Sequence, residues 1–333
     1  MRLVAPLLAC LALWLMAAAG PAHALCSGQD LIAALPAGER GALEQRSAAR
    51  PYARGNLWRA TRGDQTIVLA GTYHLPDPRH DALLNRLLPM LDTSATLLVE
   101  AGPDEEARLK AEFGKRPDFM LMTSGPTLPE MLAEPDWQAV AAEMQARGVP
   151  AFVASRLRPW YVAMMLGIPP CAVEGVRRGD QGLDHRLIAA AQARGLPVRA
   201  LEPYDTLFSL FGNLPPEGEL DMVRAALVMA DRPEDMTVTL ANAYFAGRSQ
   251  LLWDFTLDRA LADPGADPAD LRRQFDLMED VLMTRRNRSW IPVLLEAAGR
   301  GPVLAAFGAL HLPGDGGIPA LLAAEGFTIS PLD

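Results

Sequence analysis

One six-residue pattern occurs twice in the chain. Gly71-Thr72-Tyr73-His74-Leu75-Pro76 and Gly308-Ala309-Leu310-His311-Leu312-Pro313 both read G-x-x-H-L-P, and an acid follows each, Asp77 and Asp315. Each copy comes straight after an apolar, strand-like run. The glycine is therefore expected to permit a sharp exit from the strand, and the proline to fix the loop beyond. Two further apolar runs close on a carboxylate: Leu97-Leu98-Val99 on Glu100, and Val198-Arg199-Ala200-Leu201 on Glu202. Two imidazoles with one or two carboxylates make a donor set for a divalent cation that keeps an open position. Such a cation acidifies water or polarises a carbonyl. A lone histidine after a strand is more often a turn or hydrogen-bonding residue; the matched context argues for a site. Glu202 has a solvated alternative beside Pro203.

For these side chains to meet, their strands must be parallel neighbours, since ligands in open α/β sheets sit outside the carboxyl ends of the strands. The pattern supports this. Asn56–Thr61 and Thr66–Ala70 flank a turn-like Arg62-Gly63-Asp64-Gln65 and predict a hairpin. Leu83, Leu84, Leu87, Leu88 and Leu91 predict a helix over 80–91. Thr96–Glu100, 197–202, 302–307 and 327–330 read as further strands. Helices are expected over 104–113, 128–147 with a break near Pro135, 156–167, 182–194 and 317–325. Strands alternating with helices give an α/β fold, with a mostly helical insertion or cap over about 205–300. An acidic, proline-containing loop at Asp263–Asp270, with Pro264, Gly265 and Pro268, interrupts that stretch. No linker is visible, so residues 25–333 read as a single domain.

Leu277 to Ala298 is apolar round most of a helical circumference, which predicts burial, yet it carries Arg285, Arg286, Asn287 and Arg288. Buried cations need partners. A guanidinium here would pair with the rim carboxylates or stabilise negative charge developing on a substrate; an exposed mid-helix patch is the plainer alternative. Pro292 should bend the helix. His80 and His185 fall on expected helices and read as surface or structural. The sequence contains no H-E-x-x-H, G-x-S-x-G or phosphate-loop pattern.

Residues 1–24 read as a signal peptide, with Arg2, an apolar Leu3–Ala19 and Ala22-His23-Ala24 as the cleavage site. An uncleaved anchor is the alternative. Cleavage removes Cys10 and His23. The two remaining cysteines, Cys26 and Cys171, would form a disulfide in an oxidising compartment, or else stay as free thiols. The expectation is a periplasmic or secreted protein with no stable membrane span after cleavage. A net charge of -9, from 31 basic and 40 acidic residues, argues against nucleic acid as a partner.

The order of these elements resembles the TraB/GumN family, which includes the animal Tiki proteins and the plasmid pheromone-shutdown proteins. The resemblance rests on both G-x-x-H copies, the strand ending in Val99-Glu100, Gly182-Leu183-Asp184, Leu201-Glu202 and Arg286-Asn287. It runs from about Asn56 to Pro331, fits the bacterial GumN-like branch best, and is most specific over Gly308–Gly317. It implies a central mixed sheet with helices on its faces, similar to the erythromycin-esterase and haem-binding ChaN-like proteins. It also implies a metal-dependent hydrolase, since the Tiki members are proteases that use a divalent metal such as manganese or cobalt. Carried over by position, the motif histidines fall on His74 and His311, the acid on Glu100, and the arginine-asparagine pair on Arg286 and Asn287.

The leading expectation is a periplasmic or secreted metal-dependent hydrolase, read first as a peptidase, with a peptide or small-molecule substrate. His74, His311, Glu100 and Glu202 would hold manganese, cobalt or zinc. Glu100 is a ligand or the general base, and Arg286 the oxyanion or carboxylate partner. The alternative is a non-catalytic binder of haem or a metal chelate, with Tyr73 or Tyr204 facing the ligand. A role in polysaccharide export is suggested only by the GumN name.

Overall fold

The computed structural model describes residues 26–206, 216–230, 232–262 and 267–332. The expected signal peptide, and Pro264 and Gly265 of the acidic loop, lie outside the described residues. Six strands form one mixed sheet: β1 (Leu57–Arg62), β2 (Gln65–Thr72), β3 (Thr96–Val99), β4 (Val198–Ala200), β5 (Val303–Gly308) and β6 (Thr328–Pro331), in the spatial order β4-β3-β5-β2-β1-β6. β1 and β2 form the expected hairpin. Arg62 pairs with Gln65, so the turn is Gly63-Asp64, and Gly63 has φ 55°, a left-handed value that suits glycine. β2, β5, β3 and β4 run parallel to one another. β1 is antiparallel to both β2 and β6. The four parallel strands end on one rim.

Side chains alternate between two buried faces. Ile67, Leu69, Leu98, Ala305 and Phe307 pack against Trp290, Ile291 and Leu294 of helix Arg285–Ala298, and against Ile318 and Leu322 of helix Ile318–Ala324. Val68, Ala70, Leu97, Val99, Leu304 and Ala306 pack against helices His80–Asp92 and Leu183–Ala193. Helices on both faces explain why the parallel strands read as unbroken apolar runs. A separate helical cluster gathers Leu128, Met144, Leu157 and Val162 with Leu220 and Val223.

Several boundaries move. The helix expected over 128–147 is two, Leu128–Met131 and Glu134–Ala146, with Pro135 in the first turn of the second. A helix at Pro170–Arg178 was not legible, because paired prolines and Gly175 hide its period. The long helix around Arg286 is broken by a π-turn at Asp280–Thr284 and then continues through Pro292. Both motif glycines belong to strands, Gly71 within β2 and Gly308 at the end of β5. Neither has a positive φ, so the expected sharp exit is not why they are glycine.

Cys26 and Cys171 form a disulfide with Cα atoms 5.4 Å apart, joining the described N-terminus to helix Pro170–Arg178. Among the described residues no helix is long and apolar enough to cross a membrane.

Candidate functional site

His74, Glu100, Glu202 and His311 each follow the end of a parallel strand, and the sheet order brings all four to one rim. They are tied together by one arginine. Arg286 forks onto Glu202, with Nε to Oε2 at 2.9 Å and Nη2 to Oε1 at 2.7 Å. Nη2 also donates to Glu100 Oε2 at 2.7 Å. Nη1 donates to Leu282 O at 3.1 Å and stands 3.3 Å from His311 Nε2. All five guanidinium N–H groups are therefore engaged. Of the two roles open to Arg286, the hydrogen bonds match carboxylate pairing; the one N–H that does not go to a carboxylate or the Leu282 carbonyl points at the His311 Nε2 lone pair. Burial opposes its charge, but Glu202 and Glu100 outweigh burial and push its pKa up.

Glu202 is closed by a second donor, since Trp290 Nε1 bonds its Oε2 at 2.9 Å. Both its oxygens are occupied. Glu100 is more open. Its Oε1 accepts the Gly308 backbone N–H at 2.6 Å and lies 3.7 Å from His311 Nε2. Burial alone would raise Glu100, but His311, Arg286, His74 and the Gly308 N–H together hold it down to about 2.

The two motif histidines differ sharply. His311 is 5% exposed and lies on a 3-10 turn, Ala309–His311. Its ring stacks on Trp290, with centroids 4.4 Å apart. The Asn287 amide nitrogen donates to Gly316 O at 2.8 Å, which leaves Asn287 Oδ1 to accept from His311 Nδ1 at 2.5 Å. That assignment puts the proton on Nδ1 and the lone pair on Nε2. Desolvation lowers the His311 pKa to about 4. His74, by contrast, has a side chain 61% exposed. Its Nδ1 lies 3.2 Å from Asp184 Oδ1, an ion-pair contact. Crowding by protein atoms lowers its pKa, but Asp184 and then Glu100 outweigh that and raise it to about 9.

The glycine that ends β5 marks where these groups converge. A Cβ on Gly308 would stand 3.3 Å from Glu100 Oε1, 3.6 Å from His74 Nε2 and 3.7 Å from His311 Cδ2. In chemistry this donor set fits a divalent cation. Each imidazole is turned by an oxygen at Nδ1, as is usual for histidine ligands, and a carboxylate oxygen, Glu100 Oε1, borders the same space above Gly308. The donors are not drawn together, however. Among the described residues no three His, Cys, Asp or Glu side chains stand close enough to hold a metal ion.

The remaining residues have structural places. Gly71 makes room for Leu312 Cδ1 and Ala309 Cα, which a Cβ would meet at 2.7 and 3.0 Å. His80 is buried and bonds Leu75 O at 2.9 Å, which ties the end of the His74 loop. Tyr73 is also buried, packed against Tyr244. An open depression of about 420 Å³ adjoins the His74 loop, lined by Pro76, Asp77, Pro78, Asp180 and Arg186 among others. The π-turn directly precedes Arg286 and Asn287. Such turns add a residue to the helical path and recur at functional sites.

The TraB/PrgY/gumN family profile matches residues 56–331, which holds every rim residue described above. The chain belongs to this family. Two curated relatives, both called uncharacterized protein YbaP, come from Shigella flexneri and from Escherichia coli (strain K12). Each is 27% identical over 281 residues, 80% of this chain and 96% of the relative. Family membership extends across the whole sheet and both motif copies. Asp184 and Trp290 join the site without a sequence signal that marks them as members of it. Asp184 was visible only inside the Gly182-Leu183-Asp184 triplet.

Proposed function

We propose that this family member is a metal-dependent hydrolase of an extracytoplasmic compartment, acting on a peptide or a small carbonyl substrate. The observation that carries the reading is the convergence of His74 Nε2, Glu100 Oε1 and the His311 ring on the space above Gly308. His74, His311 and Glu100 would hold the cation, which is manganese, cobalt or zinc by donor chemistry. Glu202 would serve as an outer partner, because Arg286 and Trp290 already occupy its oxygens. When bound, the cation supplies Lewis-acid polarisation of a substrate carbonyl.

The protein's own groups divide the rest of the work. A carboxylate held at about pKa 2 is a poor proton acceptor at neutral pH, which supports Glu100 as ligand over Glu100 as general base. Arg286 holds Glu100 and Glu202 in register. Asn287 fixes the His311 ring. His74, on the exposed side, lies where substrate can reach it. The Cys26–Cys171 disulfide supports an oxidising compartment such as the periplasm or the exterior.

The test uses His311→Ala and His74→Ala, with metal content measured by mass spectrometry after manganese, cobalt and zinc loading, and with cleavage of a peptide library. Both variants should lose bound metal and turnover. Unchanged metal content in both overturns the ligand assignment. A coloured ligand carried through purification without any turnover would favour the non-catalytic binder.

A further inference from the structure

The Gly182-Leu183-Asp184 triplet has no part in the ligand set, yet its placement against the rim is tightly constrained. Gly182 precedes helix Leu183–Ala193. A Cβ there would lie 2.3 Å from His74 O and 2.6 Å from Tyr73 O, closer than any side chain tolerates. The next residue, Leu183, is fully buried and donates its N–H to Tyr73 O at 3.1 Å. The start of this helix is thus pressed onto the backbone of the first motif copy, and the following side chain, Asp184, lands beside the His74 ring.

The Asp184 carboxylate divides its oxygens. Oδ2 lies 2.9 Å from His185 Nδ1, and His185 Nε2 in turn lies 2.9 Å from Glu106 Oε1. Oδ1 is buried, makes no aligned hydrogen bond, and stands 3.2 Å from His74 Nδ1. A row of four alternating groups therefore runs from the rim to helix Pro103–Lys115: His74, Asp184, His185, Glu106.

We infer that Asp184 is the positioning residue of His74. It holds Nδ1 toward itself so that Nε2 faces Glu100 and His311, and His185 with Glu106 keeps its carboxylate in place. Asn287 gives the second motif histidine the same kind of restraint. The chain thus supplies one oxygen partner to each imidazole, from two elements remote in sequence. Outer partners of this kind commonly contribute 10–100-fold in metal affinity.

The experiment records ¹H–¹⁵N spectra of histidine-labelled protein for wild type, Asp184→Ala and His185→Gln, and titrates each with Zn²⁺ by calorimetry. The metal arm rests on the proposed function; the spectral arm does not. Wild type should show a protected His74 Nδ1–H resonance. Asp184→Ala, which removes the acceptor altogether, should lose that protection and leave the His311 Nδ1–H signal unmoved, with zinc affinity falling about 10–100-fold. His185→Gln, at a half-exposed position that should not compromise folding, should give a smaller change in the same direction. If wild type binds no zinc but the His74 signal still depends on Asp184, the inference stands and the metal reading falls. A His74 signal unchanged in both variants overturns the inference, whatever the metal result.

Discussion

The two G-x-x-H-L-P turns share a sequence pattern, adjacent parallel strands and one rim, yet they hold their histidines in opposite environments. His311 is sealed under Trp290, fixed by a neutral amide, and held near pKa 4. His74 projects into the open, faces a carboxylate, and is held near 9. The turn sets where each imidazole stands. What it becomes is decided by the helix that packs beside it: Arg285–Ala298 for one, Leu183–Ala193 for the other. The second histidine is also wired into the core through Arg286, Glu202 and Trp290, whereas the first is held from one side by Asp184, itself backed by His185 and Glu106.

The most severe way to break this comparison is to remove the wiring. Arg286→Met leaves Glu202, and in part Glu100, as largely buried carboxylates with no cation. Breaking a buried pair on one side costs about 3–5 kcal/mol, and urea unfolding should show a loss of that size. Asp184→Asn should cost much less, because its partner His74 is exposed. Equal losses would mean the two turns are anchored alike.

The motif glycines offer a finer contrast. A Cβ at Gly71 meets the Ala309 backbone at 3.0 Å and Leu312 at 2.7 Å, in packed core. Gly71→Ala should destabilise by about 1–3 kcal/mol through overpacking while leaving metal uptake intact. A Cβ at Gly308 meets only the tips of Glu100, His74 and His311. Gly308→Ala should cost about 1 kcal/mol or less but abolish metal uptake. Thermal melts paired with metal analysis read both. Metal loss from the Gly71 variant at full stability would refute this division.

The sequence shows the strand ends well, because an apolar run closing on a charge is hard to bury any other way. It also shows that Arg286 needs carboxylate partners, since it sits on an otherwise apolar helix. Other parts are hidden for identifiable reasons. The glycines suggested backbone freedom, but their role is space, and only the packed neighbours reveal that. Asp184 sits on a separate helix, and nothing in its local pattern says which turn that helix meets. Trp290 reads as core, and it is core; its indole N–H also reaches Glu202, a strand-end residue 88 positions away that the local pattern does not connect to it. The unlike states of His74 and His311 cannot be read from two near-identical hexapeptides, because desolvation and charge come from residues distant in sequence.

The subtlest prediction uses those states directly, in metal-free protein. His74 has a folded pKa near 9, above its ordinary 6.5. Its contribution to stability is therefore full below about pH 6.5 and fades as pH rises toward 9. His311 has a folded pKa near 4, below 6.5. The unfolded chain then binds more protons between those values, so this contribution is full above about pH 6.5 and is lost as pH falls toward 4. Burial lowers His80 as well, and it adds to the acid limb of every variant, so differences between variants remove it. Melting temperatures from pH 4 to 9.5 should show His311→Asn flattening the acid limb and His74→Asn flattening the alkaline limb. The alkaline change should be the smaller, because solvent screens an ion pair whose histidine is so exposed. If both variants act on the same limb, the two turns do not hold their histidines in opposite charge states.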